Sequence, residues 1–207
     1  MTILGGVPIK PFRSAKNRLA ANLTLRQRRL LAEYLGKRTL GAIMDAGAEP
    51  IVLAADEEVA DWAKGFGYRT LLDPGSNLNS AATAAADLAS TEDRPWLMVH
   101  GDLPFIDEQA VGRALTSLAS GRPALAPSPD GGTPVLGWQG RDLAFQYGPG
   151  SFHRHHYQLA LHNPLVLTDP RLVFDIDRPD DLALTLRRDP DLADRLSSLT
   201  ASWPPSS

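Results

Sequence analysis

The chain begins with a short apolar segment, Thr2 to Val7, which reads as a first strand ended by Pro8, Pro11 and a charged loop. From Leu23 to Ala48, Leu30, Leu31, Leu35, Leu40 and Ile43 recur at helical spacing, with Gly47 as the expected C-cap. Pro50 to Ala55 reads as a buried strand, Glu57 to Lys64 as a helix that stops at Gly65 to Gly67, and Tyr68 to Leu72 as a further strand. The turn-rich DPGSN precedes an Ala-rich helix from Ser80 to Ala89. Trp96 to His100 is an apolar run that stops at Gly101 and Asp102; a helix from about Glu108 to Leu118 and a strand at Ala124 to Pro127 follow.

Alternating strands and helices joined by short loops predict an α/β fold, a mostly parallel central sheet with helices on both faces. Right-handed crossovers gather the C-terminal ends of the strands on one edge, where ligands usually bind. The charged loop and Asp102 both fall there. After Asp130 the periodicity loosens through GGTPVLGW and DLAFQYGPGSFHRHH, and the region from about 128 to 165 reads as a small antiparallel, flap-like portion around the site. Leu172 to Asp177 reads as a returning strand, Pro179 to Arg188 as a helix with an acidic start, and the end, about 197–207, as a frayed tail.

With 207 residues, 43% hydrophobic, the chain suits one domain from 1 to 207 and leaves little room for a second. A net charge of -3 offers no global positive field for nucleic acid or an anionic membrane, so a basic cluster must act locally. The absence of cysteine excludes disulfides, thiolate catalysis and Cys-ligated zinc. The N-terminus lacks a secretory pattern and no apolar run approaches about 20 residues, so a cytoplasmic protein is expected.

One local basic cluster exists. Lys10, Arg13, Lys16 and Arg18 fall within nine residues of VPIKPFRSAKNRL, with no acidic residue among them. Cations fixed near the backbone N–H groups of a strand-to-helix loop suit a polyphosphate, although the same residues could form a solvated loop, and the Gly-rich GK[ST] ending of a P-loop is absent. Asp102 in HGDLP could cap a helix or, with Asp175 and Asp177 of FDIDRPDD, hold a hard cation. Asp175 and Asp177 would share a face of the expected strand. Asp180 and Asp181 suit the start of the last helix.

GGT (Gly131–Thr133) and YGPGSF (Tyr147–Phe152) read either as two tight turns or as places of close approach to an anionic ligand. The cluster His153, His155 and His156 lacks the convergence that zinc requires, and a histidine facing an anionic substrate is the preferred reading. Asn77 and Asn79 precede a helix and could cap it or read a base or sugar edge. The scattered tryptophans do not form a base-stacking array.

In this order, VPIKPFRSAKNRL, the Leu78–Asn79 pair, GDLP, GGT, YGPGSF with His155, and DIDRPDDL resemble the 2-phospho-L-lactate or phosphoenolpyruvate guanylyltransferases of deazaflavin coenzyme (coenzyme F420) biosynthesis. The resemblance runs from Val7 to Leu182. It implies a Rossmann-like, glycosyltransferase-A-like nucleotidyltransferase fold. The implied reaction is Mg2+-dependent transfer of GMP from GTP to the phosphate of a small C3 phospho-acid: 2-phospho-L-lactate, phosphoenolpyruvate or 3-phosphoglycerate. The next transferase of the pathway is the expected protein partner.

By the same resemblance, Lys10, Arg13, Lys16 and Arg18 meet the triphosphate, with Lys16 also catalytic, and Asn79 lies on the nucleoside side. Asp102 and Asp175 hold metal and are catalytic, while Asp177 is a candidate metal ligand through its spacing from Asp175 alone. Thr133, Gly148, Ser151 and His155 meet the acceptor. Two positions depart from the pattern: Pro134 stands where Asn is common after the GGT threonine, and Gly101 where Ala is common before the aspartate of DLP. The rival readings are a transferase using another nucleotide or acceptor, such as a molybdopterin or sugar phosphate, and a non-catalytic nucleotide-binding protein. Gly5 and Gly6 are a poor substitute for the Gly-rich opening of those other transferases.

Overall fold

A computed structural model of the chain describes residues 2–72 and 77–199. Among the described residues, seven strands form one sheet in the order β3-β2-β1-β4-β6-β5-β7. They are β1 (Leu4–Ile9), β2 (Glu49–Ala54), β3 (Arg69–Leu72), β4 (Trp96–Val99), β5 (Ala124–Ala126), β6 (Val135–Trp138) and β7 (Leu165–Val166). β1 to β4 run parallel, and β6 inserts antiparallel between β4 and β5. The helices are α1 (Leu25–Asp45), α2 (Glu57–Gly65), α3 (Leu78–Thr91), α4 (Glu108–Ala119), α5 (Ser151–Leu159), α6 (Pro170–Val173), α7 (Pro179–Arg188) and α8 (Pro190–Ser198).

Strand alternation divides the core between two layers. Val7, Ile9, Val52, Ala54, Leu97 and Val99 face α1, α2 and α4. Leu4, Ile51, Leu53, Trp96 and Met98 face α3 and α5. Gly5 and Gly6 lie inside β1, where an added Cβ would stand 2.5 Å from Ile43 and 2.8 Å from Met98. Gly5 admits the close approach of α1, Gly6 leaves room for Met98 of β4, and neither is part of a phosphate loop. A third cluster joins Leu19 and Leu23 of the basic loop to Leu31 and Leu35 of α1, to Ile176, and to Leu182, Leu192 and Leu196. This apolar patch fixes the basic loop against the Asp175–Asp177 segment.

Most expected elements are present within a residue or two. Gly47 follows α1 at φ 91°, and Ala48 N–H closes back on the Ile43 carbonyl, a Schellman-type end. The reading of Leu172 to Asp177 as a strand is corrected: α6 occupies Pro170–Val173, the chain then extends without joining the sheet, and the edge strand is Leu165–Val166 instead. Asp169 caps α6 through Arg171 N–H, a local signal that outweighs the apolar pattern LVF. The looser region contributes the antiparallel strand β6, but HRHH lies in α5. Most of the DPGSN turn (73–76) and the tail from 200 onward lie outside the described residues.

Candidate active site

The connection after β1 leads to β2 on one side, while β4 lies on the other, so the C-terminal ends of β1 and β4 form a topological switch point. Their pairing ends at Gly6 with Met98. Pro8 has no N–H with which to continue the ladder, and the strands part around a cavity of about 580 Å³. Its lining combines apolar residues, among them Pro8, Leu53, Ala55, Leu78 and Ala81, with the polar Lys10, Lys16, Arg18, His100, Asp102 and Asp177.

Two short 3-10 turns, Phe12–Ser14 and Asn17–Leu19, shape the basic loop around the buried anchors Phe12 and Leu19. Between them Lys16 adopts left-handed backbone angles, φ 51° and ψ 38°, uncommon for a residue with a side chain. The turn aims its side chain inward. Lys16 Nζ lies 2.8 Å from Asp102 Oδ2 and donates to the Ile176 carbonyl at 2.7 Å. The more exposed Arg18 pairs with Asp177. Lys10 lines the cavity, whereas Arg13 is exposed and does not.

Asp102 stands in the loop after β4 and is not a helix cap; Asp107 caps α4. Oxygen atoms of Asp102, Asp175 and Asp177 lie within 4.8 Å of one another. The buried Ile176 between the last two acts as the anchor from which both carboxylates reach one place. Burial alone would raise the pKa of Asp102, but Lys16 and His100 outweigh it and hold the group below its ordinary value. Asp175 is pushed up to about 6, first by burial and then by the charges of Asp102 and Asp177. Asp102 Oδ1 is buried without a hydrogen-bond partner among the described residues. Three converging carboxylates, one with an orphaned oxygen and one short of compensating charge, fit a hard divalent cation, which prefers oxygen ligands.

The other expected site residues form a post beside the cavity. Thr133 Oγ1 is 2.9 Å from Ser151 Oγ and 3.0 Å from His155 Nδ1, and His155 Nε2 accepts from Gln146 N–H at 3.0 Å. With Nε2 an acceptor, the proton of the neutral ring sits on Nδ1 and is donated to Thr133. Burial lowers the pKa of His155 to about 4. The expectation that His155 faces an anionic substrate is corrected: it is 0% exposed and both nitrogens serve the protein. The hydroxyls of Thr133 and Ser151 are likewise turned on each other, and neither residue lines the cavity.

Gly148, exposed at φ 120°, and Gly150, at φ 69°, turn the chain into α5. Asn77 caps α3 through the N–H groups of Asn79 and Ser80. Asn79 itself lies in α3, off the cavity, and its Oδ1 accepts from Tyr147 N–H at 2.7 Å. Pro134 is buried at the entry to β6, and its carbonyl accepts from His100 N–H at 2.8 Å. Asp181 in the first turn of α7 accepts from the N–H groups of Asp177 and Arg178, holding the end of the acidic segment.

His100 is a cavity residue that the sequence pattern left unassigned. The signal was present, since it ends the run WLMVH two positions before Asp102.

A family described as "Guanylyl transferase CofC like" matches residues 1–186. The chain belongs to this family. It is 33% identical to a phosphoenolpyruvate guanylyltransferase of Rubrobacter xylanophilus, covering 88% of this chain and 93% of that one. With a protein of the same name from a Roseiflexus species it shares 35% identity over 88% and 84% of the two chains. With a 2-phospho-L-lactate guanylyltransferase of Methanothermobacter thermautotrophicus it shares 27%, over 73% and 69%.

Among solved structures, a protein from Desulfovibrio desulfuricans G20 described as a nucleotide-diphospho-sugar transferase superposes with a TM-score of 0.74 at 16% identity, covering 95% of this chain and 99% of that one. The 4-diphosphocytidyl-2C-methyl-D-erythritol synthase of Anaerococcus prevotii gives 0.63 at 8% identity, over 90% and 95%. These likenesses establish a nucleotidyltransferase-type α/β fold for a member of the CofC-like guanylyl transferases. Among the described residues, no helix is long and apolar enough to cross a membrane.

Proposed function

We propose that the chain transfers GMP from GTP to the phosphate of phosphoenolpyruvate, releasing pyrophosphate, as a cytoplasmic step of deazaflavin coenzyme biosynthesis. The observation that carries this reading is the Asp102, Asp175 and Asp177 cluster facing the basic loop across one cavity. Phosphoenolpyruvate is preferred to 2-phospho-L-lactate and 3-phosphoglycerate because the relatives named for it are the more similar ones.

An acceptor phosphate oxygen attacks the α-phosphorus of GTP as the bond to the β-phosphate oxygen breaks, and pyrophosphate leaves with that electron pair. A phosphate monoester loses its second proton near pH 6, so the attacking oxygen needs no strong general base. Lys10 and Arg18 receive the β- and γ-phosphates, while Lys16 stands between the leaving group and Asp102. Asp102, Asp175 and Asp177 would hold a divalent cation, most simply Mg2+, which would neutralise charge on the phosphoryl oxygens. Positioning and electrostatics carry the rate, which accounts for a site without a nucleophile–base dyad.

Mass spectrometry of products formed from GTP, Mg2+ and an equimolar mixture of the three phospho-acids tests the reading. The GMP adduct of phosphoenolpyruvate is expected to dominate. Reaction with a sugar phosphate alone, or with CTP in preference to GTP, would overturn it.

A further inference from the structure

His100 is held from several sides, yet its Nε2 serves no partner among the described residues. Its backbone N–H is fixed by the Pro134 carbonyl at 2.8 Å. Its ring packs on Tyr147 with centroids 5.9 Å apart. Tyr147 is itself fixed, by its N–H to Asn79 and by an edge contact to His155 with centroids 5.0 Å apart. In the wall of the cavity, Nε2 is buried and has no partner among the described residues. Buried polar atoms are nearly always satisfied, so an orphaned nitrogen in a binding cavity points to a ligand atom.

The place of the ring in the sheet narrows the choice of ligand. Along β4, Trp96 and Met98 face the α3 side, and His100 continues that alternation. Leu53 and Leu78 put one side of the cavity wall on β2 and α3. His100 lies on the opposite flank, toward β6 and the 131–134 turn. His100 lines the same cavity as Lys10 and Lys16 of the basic loop and Asp102 and Asp177 of the acidic cluster, so a ligand bound between those groups would pass its ring.

We propose that His100 positions the acceptor, its imidazole N–H donating a hydrogen bond to an oxygen of the acceptor phosphate beside Asp102. This rests on the guanylyl-transfer reading. It adds a residue that makes the incoming acid, rather than GTP, sensitive to the end of β4. An imidazole suits the position because a lysine or arginine there would compete with Lys16 for Asp102.

The test compares H100A, H100F and H100Q with the unmodified chain. Phenylalanine keeps the packing on Tyr147 without a nitrogen, and glutamine restores an amide N–H at similar reach. H100A and H100F are expected to lose about 10- to 100-fold in kcat/KM for phosphoenolpyruvate, with the KM for GTP changed less than about twofold and the melting temperature retained. H100Q is expected to recover most of the loss. Unchanged acceptor kinetics in H100F, an equal rise in the KM for GTP, or H100Q no better than H100F would each overturn the proposal.

Calorimetric titration of phosphoenolpyruvate into the Mg2+- and GTP-analogue-loaded chain separates the two readings. If the unmodified chain transfers GMP and binds the acid but H100F does so equally well, the role of His100 falls alone. If the unmodified chain neither binds nor guanylylates any phospho-acid, guanylyl transfer to such an acid falls first.

Discussion

Lys16 Nζ lies 2.8 Å from Asp102 Oδ2, so the basic loop and the acidic cluster, 86 residues apart in sequence, are joined by an ion pair before any nucleotide arrives. The loop is thereby a cationic lining that already touches the carboxylate at which the α-phosphate would be held. Removing either partner leaves the other in a partly buried place.

Asp102→Asn keeps the shape and removes the charge. Turnover with saturating Mg2+ and GTP is expected to fall at least about 100-fold, measured as pyrophosphate release, a loss comparable to that of a principal electrostatic contact. Near-normal turnover would refute the role of Asp102. Lys16→Met should also lower stability, by about 1–3 kcal/mol in denaturant titration, because the partly buried Asp102 loses a hydrogen-bonded counter-charge.

Asp175 gives a prediction of opposite sign for stability. Its folded pKa, pushed up to about 6, exceeds the value of about 3.9 in an unfolded chain, so ionisation above pH 6 works against folding. Asp175→Asn is therefore expected to stabilise the metal-free chain by about 1–2 kcal/mol at pH 7.5. The advantage should shrink as pH falls from about 6 to 4. The same variant should lose the rise in melting temperature that Mg2+ or Mn2+ gives the unmodified chain. A metal response equal to that of the unmodified chain would exclude Asp175 as a ligand.

His155 makes the post beside the cavity acid-sensitive. Its folded pKa of about 4 lies below about 6.5 for an unfolded histidine, so the unfolded chain takes up the proton first. Its contribution is complete above about pH 6.5 and is lost as pH falls toward 4, by up to about 3 kcal/mol. Glutamine at this position can serve Thr133 and Gln146 without titrating. Between pH 7 and 4.5, H155Q should therefore lose less unfolding free energy than the unmodified chain, and parallel curves would contradict the assignment.

The basic residues of the loop are not equivalent. Arg13 is exposed and does not line the cavity, whereas Arg18 lines it and pairs with Asp177. R13A should change the KM for GTP by less than about threefold and R18A should raise it about tenfold or more, in line with one charge-assisted contact to phosphate. Equal effects in steady-state kinetics would mean that the loop acts only as a diffuse field.

Much of the scaffold was legible in the sequence because it is set by local rules. Leu31, Leu35, Leu40 and Ile43 mark the buried stripe of α1, Gly47 its end, and the apolar runs at Ile51 and Leu97 the buried strands. The acidic start of α7 was equally local. The region after Val166 was less so, because capping by Asp169 turned an apolar stretch into a helical turn, and β7 is too short to carry a periodic signal.

The sequence by itself determined the alternating parallel architecture, the basic loop at a strand end, and three aspartates able to serve one cation. Tertiary structure decided how those groups are used. Side-chain type cannot reveal that Lys16 turns inward onto Asp102, that Ile176 anchors two carboxylates without a strand, or that Thr133, Ser151 and His155 satisfy one another away from the cavity. Each depends on contacts between segments far apart in the chain. Whether a polar atom is buried, and whether another segment supplies its partner, exists only once the sheet has brought those segments together, and the unpartnered nitrogen of His100 became visible in that way.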